Sequence, residues 1–98
     1  MILHVVLFRF VESASPLQVE DARRALTALR GAVPGVVGVT FGPNLAPSAS
    51  DWPHVLVVAL EDFVSVERYL AHPLHVDAVA KYVKPILGAR LAADAEAP

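Results

Sequence analysis

Ile2-Leu3-His4-Val5-Val6-Leu7-Phe8-Arg9-Phe10-Val11 is the stretch that decides the fold. It is rich in β-branched and aromatic residues and free of Gly and Pro, so it reads as a strand. Side chains alternate across a strand, which puts His4, Val6, Phe8 and Phe10 on one face and Val5, Leu7, Arg9 and Val11 on the other. Both faces are largely apolar. A second stretch, His54 to Glu61, behaves alike, with His54, Leu56, Val58 and Leu60 alternating against Val55, Val57, Ala59 and Glu61. An antiparallel sheet with one face in water alternates cleanly between apolar and polar residues. These strands do not, so both faces of their sheet need cover.

The segments between them are well punctuated. Ser15-Pro16-Leu17-Gln18 is a helix start, with Ser15 as cap, Pro16 at the first helical position and Gln18 able to reach back as in a capping box. Leu17, Ala22, Ala25, Leu26, Leu29 and Val33 follow at helical spacing until Gly31 and Pro34 end the element. Val36 to Gly42 reads as a second strand, and Asn44 to Pro53 as a loop. Asp62 or Ser65 caps a short helix through Ala71. Pro73 opens another helical stretch toward Lys84, whose inward stripe is His75, Val79, Tyr82 and Ile86. Leu87 to Ala93 is a weaker fourth strand. The order β-α-β-β-α-β, its second helix split at Pro73, predicts an α+β ferredoxin-like sandwich. It occupies one domain over residues 1–94, with a disordered tail at 95–98.

Two helices cover only one face of such a sheet. A second copy packed sheet to sheet is the simplest cover for the other, which predicts a homodimer. Composition points the same way. The chain has 98 residues, 55% hydrophobic and 18% charged, and no cysteine. A domain this small buries a modest core alone. It has neither a disulfide nor a thiolate zinc site to support it. The net charge is -2, and no basic run exceeds Arg23-Arg24, so nucleic acid is not an expected partner. The apolar run Val55 to Leu60 is far shorter than a membrane-spanning helix, and the start lacks a secretory signal pattern. The expected location is the cytoplasm.

Chemistry concentrates in Tyr69-Leu-Ala-His72-Pro73-Leu-His75, which sets a phenol and two imidazoles beside a proline. Tyr and His move protons without a metal or cofactor. His4-Val-Val-Leu-Phe-Arg-Phe10, Pro34-Gly-Val36 and Tyr69 to Val76 together resemble the stress-responsive A/B barrel family, over nearly the whole chain. The resemblance implies a dimeric α+β barrel. It also implies a site: a plant polyketide cyclase of that family closes its substrate by an intramolecular aldol step, without metal or organic cofactor, using a Tyr and a His that match Tyr69 and His75. Its further pocket histidines match His4 and His54. The first helix departs from that enzyme, with Ala22, Arg23 and Leu26 where the cyclase is rich in aromatics, so the substrate is not carried over.

The residues support the same assignment of roles. Neutral His75 is a general base for a proton beside a carbonyl, and Tyr69 is the hydrogen-bond donor to the developing oxyanion. They lie six positions apart, off one helical face, and the Pro73 break is what can bring them together. The alternative is that both rings belong to the core, each with a satisfied hydrogen bond. His72 precedes Pro73 and reads as a cap or turn residue. His72 and His75 mimic a metal pair, but no carboxylate is spaced to complete it, so no metal and no cofactor are expected. Trp52-Pro53 is either a pocket lip or an interface residue. Arg9 is a candidate intersubunit partner of Glu61 or Asp94. The expected pocket is small and mostly apolar. Val6, Phe8, Leu56, Val58, Val79 and Tyr82 line it, with His4, His54, Tyr69 and His75 as its polar groups. A small apolar or carbonyl compound fits it. Two classes stay open, a ligand-binding barrel without chemistry and a cofactor-free acid–base enzyme.

Overall fold

A computed structural model describes residues Met1–Pro98. Strands β1 (Ile2–Phe10), β2 (Val36–Pro43), β3 (His54–Leu60) and β4 (Leu87–Glu96) form one antiparallel sheet in the order β2-β3-β1-β4. Helices α1 (Pro16–Thr27), α2 (Phe63–Ala71) and α3 (Pro73–Ala78) complete the ferredoxin-like α+β fold. The alternation read from the sequence is the one observed. Ile2, His4, Val6, Phe8, Leu56, Val58 and Leu60 are buried on the helix-facing side. Leu3, Val5, Leu7, Val55, Val57 and Ala59 on the other side are only half-buried. No helix is long and apolar enough to cross a membrane.

Local chemistry sets the helix boundaries. Ser15 and Gln18 form the capping box, with bonds of 2.9 and 3.1 Å. The helix ends at Thr27, earlier than the apolar pattern suggests. The Thr27 hydroxyl donates back to the carbonyls of Arg23 and Arg24, and the chain tightens there into i→i+3 bonds such as Leu29 N–H to Leu26 O. Leu29 and Val33 are still buried, from a turn rather than a helix. Leu17 is 68% exposed and leaves the expected stripe. At about 100° per residue it stands roughly 140° around the helix from buried Ala22. The turn into β2 docks closely on α2: Gly35 has φ +85°, and a Cβ on it would lie 2.5 Å from the Ser65 hydroxyl oxygen. Asp62 fixes that Ser65, accepting from its N–H and hydroxyl at 2.8 and 2.7 Å as it caps α2.

Two expectations for the C-terminal third need correction. The helical stretch after Pro73 is not regular. After α3 it widens into a π turn over Val79–Val83, then tightens into a 3₁₀ turn over Lys84–Ile86. A π turn adds a residue to the helical circuit and shifts everything beyond it. Ile86 is buried as expected and Val83 is buried with it, while Tyr82 leaves the expected stripe and turns toward α1. The strand β4 also outlasts its pattern. It pairs with β1 up to Ile2↔Glu96, and Ala97 N–H still donates to Met1 O at 2.9 Å. Residues 95 and 96 thus belong to the sheet, not to a tail. Their alanines and acids have low strand propensity, and the pairing with β1 overrides it.

The register also removes Asp94 as a partner of Arg9. Asp94 lies opposite His4, hence on the helix-facing side, where Arg9 cannot meet it. The Arg9 guanidinium instead sits 5.9 Å from the Trp52 ring centroid, a cation–π contact on the outer side of the sheet.

Candidate functional site

A cavity of about 330 Å³ lies between the helix-facing side of the sheet and the broken α2–α3 segment. The sheet contributes Val6, Phe8 and Leu56, and the irregular helix contributes Val79 and Val83. Its polar groups are His4, Tyr69 and His75, with Lys84 and Arg90 as further lining side chains. The break at Pro73 organises this cluster. The backbone of His72 leaves the helix at φ -65°, ψ 133°, and its Nδ1 accepts from Leu74 N–H at 3.1 Å, so His72 is the cap of α3. The chain direction resets, and His75 folds back against Tyr69 with ring centroids 4.4 Å apart.

Tyr69 is completely buried and lies beside two imidazoles. His75 is the nearer, and His4 meets the ring edge-on at 6.1 Å. Its hydroxyl is buried and is the single buried side-chain polar atom without a hydrogen-bond partner in the protein. Such a group costs about 1–3 kcal/mol and calls for an explanation. Burial raises the Tyr69 pKa to about 12, so the phenol stays protonated and can only act as a neutral donor or acceptor at neutral pH.

The two histidines have defined tautomers. His75 Nδ1 lies 3.2 Å from the Leu70 carbonyl, which can only accept. Nδ1 therefore carries the proton and Nε2 keeps a free lone pair. Burial is the main cause holding the His75 pKa below the ordinary imidazole value; the Leu70 bond opposes it, and His4 and Arg90 add smaller lowering effects. The ring is thus a neutral base at pH 7. His4 Nδ1 sits 2.6 Å from the Asp94 carboxylate, which can only accept, so Nδ1 likewise carries a proton. The His4–Asp94 pair depends on the β1–β4 register, so spacing along the sequence carried no sign of it.

Several expected pocket residues lie elsewhere. His54 pairs across from Phe8, four residues along β1 from His4, or ~13 Å at about 3.3 Å per residue. It packs against Phe10 and Phe41 at centroid distances of 5.1 and 6.2 Å, outside the cavity lining. Val58 is fully buried under the helices without reaching the cavity. Tyr82 is displaced by the π turn, as described above. The pattern missed Leu26, Leu70, Val83, Lys84, Leu87 and Arg90 as lining residues. Leu26 was legible as a core residue of α1, whereas Lys84 and Arg90 depend on the irregular turn and on β4. No group of three or more His, Asp or Glu side chains is arranged to hold a metal ion. His72 and His75, the apparent metal pair, are bonded to different backbone groups.

The model of the Stress responsive A/B Barrel Domain matches residues 2–97. No curated protein matches the chain. Among solved structures, a dimeric ferredoxin-like protein of unknown function from Thermobifida fusca shares 31% identity, with 98% of this chain and 90% of that one covered, at a TM-score of 0.83. A hydroxynitrile lyase from Passiflora edulis is 16% identical at a TM-score of 0.83, covering 96% of this chain and 90% of its own. A cofactor-independent oxygenase from Streptomyces nogalater is 18% identical at a TM-score of 0.77, covering 99% and 92%. These last two share the fold, at identities too low to transfer an activity.

Proposed function

The chain belongs to the stress-responsive A/B barrel family, and on that premise we propose that it is a homodimer whose cavity binds a small carbonyl compound and promotes proton transfer at the carbon beside the carbonyl. One observation carries this reading: the buried, unpartnered hydroxyl of Tyr69, flanked by a histidine with a free Nε2. A substrate carbonyl oxygen would give that hydroxyl its missing partner. His75 Nε2 would take the proton from the adjacent carbon, and the electron pair left behind would become an enolate on the oxygen that Tyr69 holds. Reprotonation at another carbon gives isomerisation, and attack of the enolate carbon on a second carbonyl gives an aldol closure. No group beyond these side chains is required.

The Tyr69 hydroxyl is sealed from solvent by its neighbours, so the substrate must displace one of them. His75 is the candidate, since it is only half-buried and its ring is held by a single 3.2 Å bond at the helix break. The same sealing favours a second reading, a ligand-binding barrel in which Tyr69 and His75 close the cavity without chemistry. The decisive test is α-proton exchange of 2-heptanone and 5-oxohexanoate in D₂O, followed by NMR. The protein should accelerate exchange above the buffer rate. Binding without acceleration would select the second reading, and neither binding nor acceleration would sink both.

Support for the homodimer comes from the outer side of the sheet. Leu3, Val5, Leu7, Val55, Val57, Ala59, Ala89 and Leu91 form a nearly continuous apolar surface, with Arg9, Thr40 and Glu61 as its polar members. A patch of this kind marks an interface, and the Thermobifida fusca protein is described as dimeric. Val57→Glu, at the centre of that surface, should convert the protein to monomers in sedimentation velocity.

A further inference from the structure

Arg90 and Lys84 are the charged side chains of the cavity lining, and they reach it from two different elements, β4 and the 3₁₀ turn after the π turn. Neither takes part in an ion pair: all those in the chain involve His4–Asp94 or Glu20 with Arg23 and Arg24. Neither donates a side-chain hydrogen bond within the protein, although each ends in strong donors. The acidic side chain nearest along the same face of β4, Asp94, is already bonded to His4. The chain as a whole carries a net charge of -2. Two unpaired cations at a mostly apolar cavity therefore make a local anion-attracting spot on a protein whose general field does not favour anions.

We propose that this part of the cavity is a carboxylate subsite, where Arg90 and Lys84 hold the anionic end of a small keto acid while its carbonyl lies against Tyr69 and His75. The inference rests on the carbonyl-compound reading above and narrows it to a substrate class. Arg presents a planar fork matched to a carboxylate, and Lys adds a mobile point charge. The cavity is small for a ligand site, so the acid carries only a short apolar chain between its carboxylate and its carbonyl.

The test compares three probes of similar size by NMR titration: 5-oxohexanoate, its neutral amide 5-oxohexanamide, and 2-heptanone. Wild-type protein should bind the acid at least about tenfold more tightly than the amide, the usual worth of a charge-assisted hydrogen bond. The advantage should shrink in 0.5 M NaCl, while the amide affinity stays constant. In Arg90→Gln/Lys84→Gln, the acid should bind no better than the amide. Both residues are exposed, so the double variant should keep the wild-type melting temperature. Equal affinity for acid and amide, or an acid preference that survives the double substitution, overturns the carboxylate subsite alone. If none of the three probes shifts the Tyr69 and His75 resonances, the carbonyl-site reading falls and takes the subsite with it.

Discussion

His4 and His54 occupy the same face of the same sheet, and the molecule uses them in opposite ways. His4 is buried, bonded to Asp94 and edge-on to Tyr69 at one end of the cavity. His54 is half-buried, its side chain makes no hydrogen bond, and it packs with Phe10 and Phe41 farther along the face, outside the cavity. The stack continues through Phe8, whose ring lies 5.5 Å from Phe10 and 5.9 Å from Phe41. One end of the face is therefore polar and open, the other aromatic and filled. What separates them is the neighbourhood that folding supplies. His4 meets β4 where Asp94 stands and lies beneath the α2–α3 break, whereas His54 meets the phenylalanines of β1 and β2.

This contrast makes the aromatic end the stabilising one, and substitutions there should be the costliest. Phe41→Ala should lower the unfolding free energy by about 3–5 kcal/mol in urea titrations, the usual loss for a buried phenylalanine. A loss below about 1 kcal/mol would remove the distinction between the ends. At the polar end the expected pattern is inverted. Tyr69→Phe should slow α-proton exchange about tenfold or more, as loss of an oxyanion donor does. It should leave the melting temperature unchanged or higher, because it deletes an unpaired buried hydroxyl. A clear fall in melting temperature would mean that the hydroxyl is satisfied in solution and serves the core.

Asp94→Asn should have a smaller effect. The amide can keep the contact with His4 but not the charge, and a charge-assisted bond exceeds a neutral one by about 1 kcal/mol, so exchange should slow by a factor of about three to ten. An unchanged rate would make Asp94 a strand-pairing residue only. The smallest effect concerns pH. Burial is the first cause holding the pKa values of both His54 and His75 below the ordinary imidazole value. The unfolded chain then takes up protons at higher pH than the folded chain. The stability linked to these neutral rings is complete above about pH 6.5 and is lost as pH falls through the lower folded-state values. Thermal melts between pH 7 and 5.5 should show a decline, shallower in His54→Phe. An identical slope in that variant would show that His54 titrates normally.

Much of this architecture was legible in the chain because it rests on local rules. Alternation fixed the faces of β1 and β3, and Ser15-Pro16 with Gln18 announced α1. The residues around Pro73 announced the break that folds His75 onto Tyr69. What stayed hidden depends on register between distant strands or on departures from regular geometry. The Asp94–His4 bond spans 90 positions and exists only through the β1–β4 ladder. The π turn moves Tyr82 out of the site and carries Lys84 into it, and no spacing in a stretch of Val, Ala and Lys signals an inserted residue. Arg90 sits on an alanine-rich edge strand whose own preference for β structure is weak.

The most direct test of the central claim is the rate of 5-oxohexanoate α-proton exchange in His75→Gln and His54→Gln at equal protein concentration. The polar end being the working end, His75→Gln should lose at least about a hundredfold, the lower range for a general base, while His54→Gln should stay within about twofold of wild type. Equal losses in the two variants, or exchange that persists undiminished in His75→Gln, would contradict the assignment of Tyr69 and His75 as the reacting pair.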